Sequence, residues 1–191
     1  MFLVYLLLGT MEIKDQIKSK ILSNNKGIRL DYFISNALFS KYGYYNNKKP
    51  IGKNKDFITS PEVSQIFGEI VGLYLFYNWK TYINSRFNLI ELGPGNGTLL
   101  VDIIKTLSKY PEFIKKAKIT LIEINQKLKD IQKKKFEKLS LKNLTWRKNL
   151  NFNLNLPCLI FSNEFFDCFP VRQFVFKKNW FEKYVGFNQR E

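Results

Sequence analysis

The chain has 191 residues, 45% of them hydrophobic and 25% charged, which is enough for a domain with a core of its own. It carries 31 basic and 16 acidic residues, a net charge of +15, and no histidine. The missing histidine excludes every mechanism that needs an imidazole base or ligand, and Cys158 and Cys168 alone cannot complete a four-ligand metal site. Two cysteines are also too few for a disulfide framework, so a reducing compartment is expected. The lysines are spread along the chain with no firm nucleic-acid motif, so the charge reads as a solvated basic surface in preference to a nucleic-acid interface.

The first ten residues, MFLVYLLLGT, are apolar for eight positions. That is too short to span a bilayer, and the basic flank of a signal peptide is missing. Residues 1–10 are read as an unused upstream start, then as a weak signal or anchor, then as a hydrophobic flap, in that order. No transmembrane span is expected. Ile13, Ile17, Ile21 and Leu22 make a helical stripe over 12–22, and LDYFISNALF predicts a second helix over 30–39. A turn-rich loop follows, to about residue 57. ITSPEVSQIFGEIVGLYLFYNW (58–79) then reads as one long helix. Thr59 or Ser60 can cap it, Pro61 and Glu62 suit its first turn, and Val63, Ile66, Phe67, Ile70, Tyr74 and Tyr77 recur at helical spacing.

From residue 87 strands and helices alternate. Strands are expected at 87–92, 117–124, 144–148 and 158–166, with two more and a turn in 171–185. Helices are expected at 98–109 and about 126–139. Repeated β-α-β at this spacing implies a parallel sheet covered by helices. The chain thus divides into residues 1–10, a helical segment over 11–86 and an α/β part over 87–191.

The turn after the first of these strands reads ELGPGNGT (91–98). Glycine takes positive φ freely and lets a ligand approach the main chain, and ligands of open α/β sheets bind beyond the carboxyl ends of the strands. The pattern is E-x-G-x-G-x-G on Glu91, Gly93, Gly95 and Gly97. A dinucleotide fingerprint would need glycine where Thr98 stands, and no Gly-Lys-Ser/Thr follows for a P-loop. With no basic residue in the turn, a ligand bearing an amino group, a ribose and an adenine fits better than a diphosphate. Glu123 closes the next strand, where an acid can accept both ribose hydroxyls. Alternatively, the glycines only make a tight turn and Glu123 only favours a helix start. SNEFFDCFP (162–170) ends the fourth strand. Asn163, Glu164 and Asp167 there could hold a nitrogen nucleophile and attract a guanidinium, or Asn163 and Asp167 could simply cap the turn.

Five separate stretches, GYY (43–45), DFITSPEVSQIFGE (56–69), ELGPGNGTL (91–99), IEIN (122–125) and NEFFDCFPVRQF (163–174), resemble the MidA-like S-adenosylmethionine-dependent methyltransferases. That family includes the mitochondrial complex I assembly factor with protein-arginine methyltransferase activity. The resemblance covers roughly residues 12–187. It implies an α/β, Rossmann-like class I methyltransferase fold (an αβα sandwich) behind a helical N-terminal segment. It implies S-adenosyl-L-methionine on Glu91, Gly93, Gly95, Gly97 and Glu123, with Thr59, Ser60, Pro61 and Gln65 covering it. The acceptor would be a protein arginine, on a respiratory complex subunit by the same resemblance. The compartment would be a bacterial cytoplasm, or alternatively the mitochondrial matrix. The family commonly has Arg at Asn96 and Ser-Pro at Asn125-Gln126. Its members also continue well beyond residue 191, so the sheet is expected to be incomplete at the C-terminus. That leaves two other readings open: a cofactor-binding remnant or assembly partner acting by contact, and a basic nucleic-acid methyltransferase or binder.

Overall fold

The computed structural model describes residues 11–47, 59–139, 141 and 143–186. Residues 1–10, and 56–58 of the DFITSPE stretch, lie outside them. The chain forms two compact units, one from residues 51–165 and one from 1–50 with 166–191. The boundaries differ from the expected break at residue 87, because residues 59–86 group with the sheet and residues 166–186 group with the N-terminal helices.

In the latter unit, helix α1 (Met11–Leu22) buries Ile13, Ile17 and Ile21 in a cluster with Phe33 and Ala37 of helix α2 (Leu30–Phe39). Strand β1 (Ile28–Arg29) lies between the two helices in sequence, and it pairs antiparallel with β8 (Tyr184–Val185). Gly27 makes that approach possible: it sits at φ +75, and a Cβ there would come within 2.4 Å of the Val185 carbonyl. The region expected to be a loop after residue 40 contains a short helix, α3 (Tyr44–Asn47). The tail forms a hairpin of β6 (Phe174–Phe176) and β7 (Trp180–Glu182), across which Arg172 grips Glu182 in a two-pronged ion pair at 2.6 and 2.8 Å.

The other unit is built on a parallel sheet of four strands in the order β4 (Leu144–Arg147), β3 (Ala117–Ile122), β2 (Phe87–Leu92), β5 (Cys158–Ser162). Every residue of β2 is buried, as a central parallel strand should be. Its side chains alternate between faces. Phe87 and Leu89 join the main core with helix α6 (Thr98–Leu107), Phe113 of α7 (Pro111–Lys116) and Phe136 of α8 (Gln126–Glu137). Ile90 and Leu92 join Ile122 in a smaller cluster against Phe152 and Phe165. β5 is the outer strand beyond β2 and is only half-buried.

The helix expected over 58–79 is broken. A single turn, α4 (Ser60–Val63), ends at Ser64, which is extended at φ −148. The Ser64 hydroxyl then caps a new helix, α5 (Gln65–Asn78), by accepting from the Ile66 N–H. Serine's capping bond competes with helix continuation at this point. The buried face of α5 is only in part the expected one. Phe67 packs half-buried on the core, but Ile66, Ile70, Tyr74 and Tyr77, with Val63 of α4, are exposed, whereas Gly68, Gly72 and Leu75 are buried. The two glycines let the backbone press against α6. A Cβ on Gly68 would stand 2.6 Å from Cβ of Asp102, while one on Gly72 would meet the Ile103 backbone at an ordinary 3.4 Å. Gly68→Ala is therefore expected to cost about 1–3 kcal/mol by overpacking. Gly72→Ala is expected to be neutral or stabilising by up to about 1 kcal/mol through helix propensity. Thermal denaturation of the two variants checks both.

Among the described residues, no helix is long and apolar enough to cross a membrane.

Candidate functional site

The carboxyl ends of β2, β3 and β5 meet at one edge of the sheet. Gly93, Gly95 and Gly97 stand there at φ +62, +53 and +75, a region that residues with a Cβ enter only at a cost. The bareness of two of them is filled by protein. A Cβ on Gly93 would stand 2.3 Å from the Phe165 ring, and one on Gly97 would press on Phe136 and on Cγ of Gln132 at 3.1 and 3.3 Å. Gly93 and Gly95 both line the cavity described next.

Between this turn and α4 lies a cavity of about 60 Å³, lined among others by Thr59, Pro61, Glu91, Gly93, Gly95, Asn163 and Glu164. Of the expected cofactor residues, Ser60, Gln65, Gly97 and Glu123 are not in its wall. Gln65 is spent on Glu69, to which its amide donates at 2.9 Å. Asn163 and Glu164 reach the cavity because the chain turns sharply after β5, with Glu164 at φ +47. A non-glycine residue held in that region is a strained feature typical of functional sites. Asp167 belongs to the other unit. There burial, followed by the charges of Cys168 and Asp167, pushes the Tyr45 phenol up to about 12.

Two acids mark the edge. Glu91, the last residue but one of β2, is buried, and its Oε2 has no hydrogen-bond partner among the described residues. Burial, and behind it the charge of Glu123, push the Glu91 carboxyl up to about 8. Glu123 follows β3 and is also buried. Its Oε1 accepts from the Asn125 N–H at 2.8 Å and its Oε2 from the Gln132 amide at 3.4 Å. Desolvation outweighs these bonds and raises its pKa as well. Two neighbouring buried acids, one with an idle oxygen, favour a ligand that brings positive charge and hydroxyl donors.

Three further residues, Glu62, Lys135 and Gln132, contact the site, and no sequence motif marks them. Glu62 of α4 accepts at one oxygen from the Thr98 hydroxyl at 2.6 Å and from the Asn96 amide at 3.3 Å, fastening α4 to the glycine turn. Lys135 donates to the same Thr98 hydroxyl at 2.7 Å. A cavity of about 60 Å³ holds a few water molecules. Gln132 of α8 is fully buried behind the turn.

A parallel sheet with a glycine turn closing β2 and an acid closing β3 is a Rossmann-like arrangement, the class to which class I methyltransferases belong. The chain belongs to the family described as S-adenosyl-L-methionine-dependent methyltransferase, whose profile matches residues 70–191. It is 36% identical over 154 residues to the bovine mitochondrial protein arginine methyltransferase NDUFAF7, covering 69% of this chain and 35% of that protein. It is 32% identical over 185 residues to the Drosophila melanogaster homologue, covering 86% and 42%. The chain thus spans well under half the length of these curated relatives. Among solved structures, a Burkholderia thailandensis protein bound to S-adenosyl-homocysteine superposes with a TM-score of 0.78 at 19% identity, over 96% of this chain and 49% of that one. At that identity the likeness speaks to fold alone. The MidA-like resemblance and the expected fold class are both borne out.

Proposed function

We propose that the chain binds S-adenosyl-L-methionine at the glycine turn and serves methyl transfer to a protein arginine nitrogen. The observation that carries this reading is the buried Oε2 of Glu91, in a residue of the cavity wall and without a hydrogen-bond partner among the described residues. An ammonium there would satisfy it and would bring a cation to a pair of acids that burial otherwise penalises. Gly95 offers its bare backbone to the ligand, and Glu123 would accept the ribose hydroxyls.

When bound, the cofactor supplies a methyl group on a positively charged sulfur, open to in-line attack. The chain's own part is positioning, which is most of what such a transfer needs. The Asn163 side-chain oxygen and the Glu164 carboxylate would hold an arginine side chain at the cavity mouth. Glu164 would pair with the guanidinium and orient one nitrogen inward. The arginine acceptor is supported by the names of the bovine and fly relatives, and those relatives are mitochondrial proteins, which favours the matrix over a bacterial cytoplasm for this reading. A respiratory complex subunit remains the proposed protein acceptor.

The test is incubation of the full chain with labelled S-adenosyl-L-methionine and an arginine-rich mitochondrial protein extract. Methylarginine that disappears in Glu164→Ala is expected. Label appearing only on lysine or carboxylates would overturn the arginine reading.

A further inference from the structure

Gln132 sits on α8 in line with Leu128 and Phe136, on the face that meets the core, and is 0% exposed. A buried amide is costly unless its bonds are made, and this one makes them to three different elements. Its Nε2 donates to the Gly95 carbonyl at 2.7 Å and to Glu123 Oε2 at 3.4 Å. Its Oε1 accepts from Trp146 Nε1 on β4 at 2.8 Å. An indole N–H can only donate, so Trp146 dictates which end of the amide faces the sheet edge. The amide hydrogens are thereby aimed at the Gly95 carbonyl and the Glu123 carboxylate, and a Cβ on Gly97 would come within 3.3 Å of Cγ of Gln132.

We propose that Gln132 is a positioning residue for the nucleoside end of the cofactor, with Trp146 as its orienter. One amide fixes the glycine turn and the Glu123 carboxylate relative to each other. Glu123 is thereby held with its remaining lone pairs toward the ribose diol. This rests on the cofactor reading above. It assigns the discrimination between ribose and deoxyribose to a side chain that touches neither.

The experiment measures calorimetric affinities of S-adenosyl-homocysteine and its 2′-deoxyribosyl analogue for the full-length chain, Gln132→Met and Trp146→Phe. In the wild type, losing one hydroxyl that bonds to a carboxylate should weaken binding roughly tenfold to a hundredfold. In Gln132→Met the parent ligand should weaken about tenfold, while the deoxy analogue changes little, so the ratio between them collapses. Trp146→Phe should move the ratio the same way by less, because the freed amide can turn over. A merely structural role would weaken both ligands alike and leave the ratio intact, and that result in folded variants overturns the clamp. If Gln132→Met fails to fold, Trp146→Phe decides by the same ratio. No binding by the wild type would instead overturn the cofactor reading beneath it.

Discussion

Glu123→Ala is expected to weaken S-adenosyl-homocysteine binding about a hundredfold or more. Each hydrogen bond to a charged group contributes roughly 1.5–3 kcal/mol, and the carboxylate would accept two from the ribose diol. The fold should survive. Burial raises the Glu123 pKa despite the bonds from Asn125 and Gln132, so the charge is held in the folded protein at a net cost, and alanine removes that cost along with the bonds. Calorimetry beside a thermal melt separates the two effects. A change in affinity under threefold in a folded variant would remove Glu123 from the site.

The second large effect is on stability against pH. Glu91 is pushed up to about 8 in the folded protein, chiefly by burial, against an ordinary value near 4.5 in the unfolded chain. The folded state therefore holds a proton that the unfolded state releases. The stabilisation is fully present below about pH 4.5 and is lost as pH rises through about 8. At pH 7 the loss is on the order of a few kcal/mol. Glu123 and Asp102, whose pKa values burial also raises, act in the same direction. Asp31 and Glu182, each lowered first by its arginine partner, act oppositely at acid pH and are solvent-exposed pairs of small effect. Glu91→Gln keeps the shape without the titration. Its stability relative to wild type should rise steadily in urea titrations from pH 5 to pH 8. A difference independent of pH would mean that Glu91 is ionised throughout.

The sheet was the most legible part of the fold. Its strands are short apolar runs ended by turns, and β2 reads as a buried parallel strand because apolar residues stand on both its faces. α5 was misread for a physical reason. Apolar periodicity finds the greasy stripe, but Gly68 and Gly72 bury by bringing backbones together, and hydropathy gives them no weight. The break at Ser64 lay open to a capping argument, since serine before a new helical turn is a start signal. The tail joining the N-terminal helices through β1 and β8 is a pairing of two residues with two, too short for any pattern. Of the residues that line the cavity, the spacing points to Glu91 and Gly95, and the family resemblance to Thr59 and Pro61. Glu62 reads in the sequence only as a first-turn acid, because its partners Asn96 and Thr98 lie more than thirty residues away and only the fold brings them together. Gln132 did leave a trace, as a polar residue in register with Leu128 and Phe136 in a lysine-rich helix.

Titration of S-adenosyl-homocysteine into the folded full-length chain, followed by calorimetry, tests the central claim most directly. Saturable one-to-one binding in the micromolar range is the predicted result. No heat at millimolar ligand from a chain that melts cooperatively would contradict it.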